Sequence, residues 1–134
     1  MKNGNNLFWA LPFIIVNRIK NRIGQKIGVE IDINTFEVGL LIHHNGNIVI
    51  NGGATIGKNC QLHGDNCIGN KGSFQRGDFP VIGNNVDIGV GAKIIGPVEI
   101  GDNIRIGANA VVVDSFNESG VTIVGVPAHI VNKD

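Results

Sequence analysis

The chain has 134 residues, which sets a single domain as the expectation. Basic and acidic side chains balance at eleven each, so the basic excess that generic nucleic-acid binding needs is missing. The two cysteines, Cys60 and Cys67, form neither a CxxC pair nor a zinc-ligand set with histidines, which points to no metal and fits a reducing, cytoplasmic setting.

The first six residues are polar and are expected to fray. The apolar run from Leu7 to Val16 is about half the roughly twenty residues that span a bilayer. Basic residues follow it, not a small-residue cleavage site. Pro12 predicts the first turn of a helix that ends near Gly24, with Phe13, Val16, Ile19, Lys20 and Ile23 on one face and Arg18 and Arg22 beside it. Lys2, Arg18, Lys20, Arg22 and Lys26 precede Ile27 and no acid does. Residues 1–26 therefore carry two readings. They form a helical cap over an open strand edge, or a peripheral membrane contact through residues 7–26, with Phe8 and Trp9 in lipid and the cations on anionic headgroups.

From Gly28 the pattern changes. Val29, Ile31 and Ile33 alternate with Glu30 and Asp32, as in a half-exposed strand. The histidine pair His43–His44 follows, closed by an Asn-Gly turn signal.

A six-residue period then takes over. Ile50, Ile56, Leu62 and Ile68 hold one phase, and Ile82, Ile88, Ile94, Ile100, Ile106 and Val112 continue it. Two residues before them stand Ile48, Ala54 and Cys60, then Pro80, Val86, Ala92, Val98, Ile104 and Ala110. A 3.6-residue turn would scatter these positions, and β-branched residues mixed with glycine are poor helix material. A short period held this long predicts a solenoid. The step from Ile68 to Ile82 is fourteen, so residues 70–80 form a loop ejected from a coil corner, where function tends to sit. A narrow coil has little interior of its own, which predicts association. The segment DSFNESG ends the ladder, and VTIVGVPAHIVNKD closes the chain.

The residues alone leave His44 open. Extrapolated hexad phase puts it on an inward aliphatic position, where an uncharged ring bonded to a carbonyl would be structural. A local irregularity at His-Asn-Gly would instead turn it outward. Glu30 and Asp32 read equally as solvated carboxylates. His63, nineteen residues past His44, falls almost above it at eighteen residues per coil.

The hexads resemble those of the hexapeptide-repeat acyltransferases. The resemblance implies an all-β, left-handed parallel β-helix over residues 27–134, assembled as a homotrimer with active sites between subunits. It also implies acetyl-CoA as co-substrate. GLLIHHNGNIVI is similar to the catalytic coil of serine O-acetyltransferases and of capsular and exopolysaccharide acetyltransferases. That likeness makes His44 the general base, a task to which histidine as a residue type is suited near neutrality, with Glu30, or alternatively Asp32, orienting it. The position before the base is acidic in the serine enzymes and is His43 here. Their loop histidine is replaced by Phe79. His43, His63, Arg76, Asp78 and Phe79 are thus the expected acceptor contacts, with Phe74 and Phe79 as stacking faces for a sugar.

On the donor side, GVGAKIIG resembles the acetyl-CoA-binding coil, which assigns Gly91, Ala92 and Lys93 and, one coil later, Gly107 and Ala108. The closing GVPAHIV resembles the family ending and assigns Gly125, Pro127, Ala128 and His129, the last in place of a basic residue. The four histidines lack the spacing by which gamma-class carbonic anhydrases hold zinc. The expectation is therefore an acetyl-CoA-dependent O-acetyltransferase acting on a sugar hydroxyl in capsule, O-antigen or exopolysaccharide biosynthesis, at the inner membrane surface. The alternatives are serine O-acetylation and, outside enzymes, a trimeric β-helix scaffold.

Overall fold

A computed structural model describes residues 6–72 and 77–131, with side chains from residue 10 onward. The first element is helix α1, Asn6–Ile27. It is longer than expected at both ends. Leu7, Ala10 and Leu11 are good helix formers, so Pro12 lies inside the helix and interrupts one backbone bond without ending it. Gly24 also lies inside, where the Val29 carbonyl occupies the space a Cβ would need. The stop is Gly28, whose φ of 71° is the left-handed conformation that glycine supplies after a helix.

Among the described residues fourteen short strands follow: β1 (Val29–Ile31), β2 (Leu41–Ile42), β3 (Ile48–Ile50), β4 (Thr55–Ile56), β5 (Gln61–Leu62), β6 (Cys67–Gly69), β7 (Val81–Ile82), β8 (Asp87–Ile88), β9 (Lys93–Ile95), β10 (Glu99–Ile100), β11 (Arg105–Ile106), β12 (Val111–Val112), β13 (Thr122–Val124) and β14 (His129–Val131). They stack into three sheets. Sheet A is β1-β3-β6-β9-β12, sheet B is β4-β7-β10, and sheet C is β2-β5-β8-β11-β13-β14. All pairings are parallel except the last, where β14 folds back antiparallel on β13. Phe36 and Phe116 extend sheet B by single bridges to Ile56 and Ile100. The chain therefore visits A, B and C in rotation, as the hexads predict.

The periodic rows form the core. Every sixth-residue position from Ile50 to Val112 is buried, and so is every partner position two residues earlier. Within the periodic rows one inward position carries a polar side chain. Asn66 is fully buried, accepting from the Gly64 N–H at 3.0 Å and donating to the Gly89 carbonyl at 2.8 Å, so its amide is satisfied. Cys60 is an inward packing residue, and burial pushes its thiol pKa up, which keeps it protonated and unreactive. Asparagines in left-handed conformation turn the corner from sheet B to sheet C. Asn59, Asn85 and Asn103 stack there, each donating its amide to the next, and the last donates to Ser119.

The insertion at residues 70–80 leaves the register intact. Gln61 lies opposite Asp87, twenty-six residues on, whereas Asp87 lies opposite Arg105, eighteen on. The extra eight residues sit between β6 and β7, at the corner from sheet A to sheet B. Phe79 lies flat over Gly53, where a Cβ would fall 2.5 Å from the ring, and the Lys71 chain covers Gly96.

Helix α1 packs on β1 through Lys20, whose Nζ donates to the Ile31 carbonyl at 2.8 Å, and through Gly24. Of the face assigned from the sequence, Lys20 meets the coil, while Phe13, Val16, Ile19 and Ile23 are all more than half exposed. Among the described residues, no helix is long and apolar enough to cross a membrane.

Candidate functional site

Most of the candidate site residues fall on one edge of the prism, the corner where sheet C hands over to sheet A. Register fixes their order. Ile42 lies beside Leu62, Leu62 beside Ile88, Ile88 beside Ile106, and Ile106 beside Ile123. The residues that follow each form a column: His43–His44, then His63–Gly64, then Gly89–Gly91, Gly107–Ala108, and Gly125–Pro127. Backbone bonds tie the tiers, from Gly91 N–H to the Gly64 carbonyl at 2.9 Å and from Asn109 N–H to the Val90 carbonyl at 2.8 Å.

The first tier is longer than the rest. Five residues, His43 to Asn47, separate Ile42 from the inward Ile48, whereas three separate Leu62 from the inward Asn66. The two extra residues take His44 off the inward phase and leave it exposed. Of the two alternatives open in the sequence, the outward ring is the one observed.

The same extra length corrects the placement of His63. It stacks not on His44 but on His43, which precedes the equivalent backbone step: the rings are 4.3 Å apart at 13°. His43 and His44 are 6.4 Å apart and tilted. Each stacked ring has a partner on sheet C. His43 Nε2 bonds Gln61 Oε1 at 2.8 Å, and His63 Nε2 bonds Asp87 Oδ1 at 2.7 Å. Arg105 Nε lies 3.8 Å from the other Asp87 oxygen. Gln61, Asp87 and Arg105 are consecutive rungs of one outward row.

Sequence reasoning missed Asp87 as a partner of histidine. The signal was present but indirect, since only the twenty-six-residue register, with the insertion counted, brings it beside His63.

Glu30 and Asp32 stand elsewhere. Glu30 is on the outward row of sheet A opposite Val49, and Asp32 lies against Gly52. Both line a cleft of about 750 Å³ between α1 and the first coil. No hydrogen bond or ion pair joins either to His44 among the described residues. Asp78 and Phe79 are half-buried at the opposite corner, with the Phe79 ring committed to Gly53. Arg76 and Phe74 lie outside the described residues, as do the side chains of Phe8 and Trp9.

On the donor side the column holds Gly91, Gly107, Ala108, Gly125 and Pro127. Gly91 has a φ of 73°, and a Cβ there would run into the Asn109 side chain. Ala92 and Ala128 are buried, so their methyl groups pack in the core. Lys93 Nζ donates to the Asp65 carbonyl. The exposed His129 ring folds over Gly125. Among the described residues no group of three or more His, Cys, Asp or Glu side chains is placed to hold a metal ion.

Such an edge can accommodate an extended molecule, with imidazoles at one end and glycine-lined backbone along the rest. The family described as bacterial transferase hexapeptide (six repeats) matches residues 79–114. The chain is 38% identical over 96 residues to a serine acetyltransferase of Helicobacter pylori, covering 72% of this chain and 56% of that one. A crystal structure of Neisseria gonorrhoeae serine acetyltransferase superposes with a TM-score of 0.76 at 30% identity, covering 95% of this chain and 50% of that one. The coenzyme A complex of Brucella abortus serine acetyltransferase superposes with a TM-score of 0.67 at 31% identity, covering 74% and 40%. The chain spans about half the length of the curated relatives it matches. With these neighbours the parallel coil is a left-handed β-helix.

Proposed function

From a hexapeptide-repeat chain that is serine acetyltransferase-like in sequence and fold, we propose an acetyl-CoA-dependent O-acetyltransferase whose acceptor hydroxyl binds at the histidine end of the edge. The observation that carries the reading is the single column that runs from exposed His44 to Gly125. The tiers rise by about 4.8 Å each, so four steps span roughly 20 Å. That length suits a pantetheine arm laid along Gly91, Gly107 and Ala108, with the nucleotide near Gly125, Pro127 and His129.

In this reading His44 takes the hydroxyl proton as oxygen attacks the thioester carbonyl. Glu30 remains the proposed orienting carboxylate, with Asp32 second, and either must swing toward the ring to act. Backbone N–H groups of the neighbouring corners stabilise the oxyanion. Asp78 and Phe79 lie on another corner, so they reach an acceptor only across a subunit boundary, with Arg76 as the further proposed contact. A homotrimer with sites between subunits supplies that boundary. The exposed outward residues Leu41, Val49 and Val81, one on each sheet, support association.

The comparisons reverse the order of acceptors expected from the sequence. The relatives reported above are serine acetyltransferases, which supports the serine hydroxyl as the first acceptor. A sugar hydroxyl stays second on specific observations: His43 where the serine enzymes are acidic, and Phe79 where they carry the loop histidine. Thiol release from acetyl-CoA, followed over a panel of L-serine and nucleotide-linked or polymer sugars, decides between them. Serine is expected to give release at least tenfold above any sugar. A sugar giving the faster release overturns the serine reading, and no release with any acceptor overturns the enzyme reading in favour of a scaffold.

The apolar face of α1 supports a peripheral membrane contact beside its cations, with Leu11 and Val16 exposed by 67% and 65%. The full chain is expected to float with anionic liposomes, and a variant lacking residues 1–24 is expected to stay in the dense fraction. Equal flotation of the two removes the contact.

A further inference from the structure

His63 and Asp87 form the one hydrogen-bonded imidazole–carboxylate pair among the described residues, and the acceptor-base reading makes no use of it. Their position along the edge is specific. His63 occupies the second tier, between the His44 corner and the glycine corners. A thioester delivered along the glycines presents its carbonyl carbon to the acceptor end and keeps its sulfur on the donor side. The tier beside that sulfur is the second one.

We propose that His63 is the general acid that protonates the departing thiolate, and that Asp87 is its positioning residue. The proposal rests on the acetyl-transfer reading. As the acceptor oxygen bonds to the carbonyl carbon, its proton passes to His44. As the carbon–sulfur bond breaks, the sulfur keeps the electron pair and takes a proton from His63 Nδ1. Coenzyme A leaves as the thiol, His44 is left protonated and His63 neutral, and solvent restores both. Nothing else is consumed.

The surroundings suit the role. Asp87 holds Nε2 at 2.7 Å, which fixes the ring and leaves Nδ1 as the nitrogen free to serve the reaction. The two side chains are 32% and 36% exposed, so the pair is reachable without being fully solvated. The charged and titratable groups facing it are His43, stacked at 4.3 Å, and Arg105, which meets the second Asp87 oxygen at 3.8 Å. Lys93 lies on the same edge but is held by the Asp65 carbonyl. Arg105 and His63 share one carboxylate, so the ring keeps a counter-charge without a metal.

The test compares wild type, His63→Gln and Asp87→Asn, each checked for the wild-type oligomer and melting profile, in steady-state thiol release from acetyl-CoA. Removing the acid is expected to lower kcat by roughly 100-fold while leaving KM for both substrates within about twofold. Loss of the carboxylate is expected to cost roughly 10-fold in kcat, with ¹⁵N shifts of the His63 ring showing that the hydrogen bond from Nε2 to the carboxylate is gone. The alkaline limb of the kcat–pH profile is expected in wild type and absent in His63→Gln. A rise in acceptor KM at constant kcat would make His63 a binding residue and overturn the proposal. So would an alkaline limb that survives in His63→Gln. If wild type itself releases no thiol with any acceptor, the transfer reading falls and takes this inference with it. Active wild type beside a fully active His63→Gln sinks the inference alone.

Discussion

Replacing His44 with alanine is expected to lower thiol release from acetyl-CoA by 100-fold or more at saturating acceptor. A hydroxyl is a poor nucleophile near neutrality, and a positioned base contributes roughly 10²- to 10⁴-fold to such a step. The ring is exposed on a lengthened corner and carries no core packing, so truncation removes chemistry and leaves the fold. The melting profile of His44→Ala is therefore expected to overlay that of wild type. Because the base acts in the transition state, kcat and kcat/KM fall together. Activity retained in His44→Ala would move the base to His43 or His63, the other imidazoles at this end.

Ile94→Ala is the counterpart in stability. Ile94 is fully buried, with Ile68 beside it on one coil and Val112 on the next. Backbone ladders hold both neighbours at strand spacing, so the space left by the side chain has little room to close. Truncations of this kind cost about 2–5 kcal/mol, and a value of about 3 kcal/mol is expected here. Denaturant unfolding followed by circular dichroism checks it, at one fixed subunit concentration, because association contributes to apparent stability. A loss below about 1 kcal/mol would mean that the coil relaxes around the gap.

The contrast between these residues explains what the sequence could tell. Ile94 was legible because a solenoid repeats its backbone, and repetition writes the inward positions into the chain at fixed intervals. Every aliphatic row assigned in this way is buried. Asn66 fits the same interval but breaks the residue type, since its amide bonds only exist once Gly64 and Gly89 are brought beside it. His44 escaped extrapolation because the phase holds only while each corner has three residues, and its corner has five. The Asp87–His63 bond escaped for a related reason: the eight residues added between β6 and β7 hide a neighbour relation that hexad counting would otherwise give. The donor glycines were legible as residue types and Ala92 as a member of an inward row, yet that Ala128 turns inward followed only from the structure. Helix α1 was placed but not bounded. Its stop is Gly28 in left-handed conformation, four residues beyond the Gly24 that the pattern suggested.

The uniform register has an evolutionary consequence. Coils count length only along their strands, so added or lost residues at a corner leave every ladder bond above and below in place. Substitution and length change thus act on different properties of this molecule. Point changes in the inward rows are filtered by folding. Insertions and deletions at corners pass that filter and are filtered by activity alone. Shortening the stretch from His43 to Asn47 by two residues would restore an ordinary tier, erase the exposed imidazole, and leave a well-folded protein with no trace of damage in its stability. A lineage of such chains can lose or regain its chemistry through small changes in length, at near-constant fold.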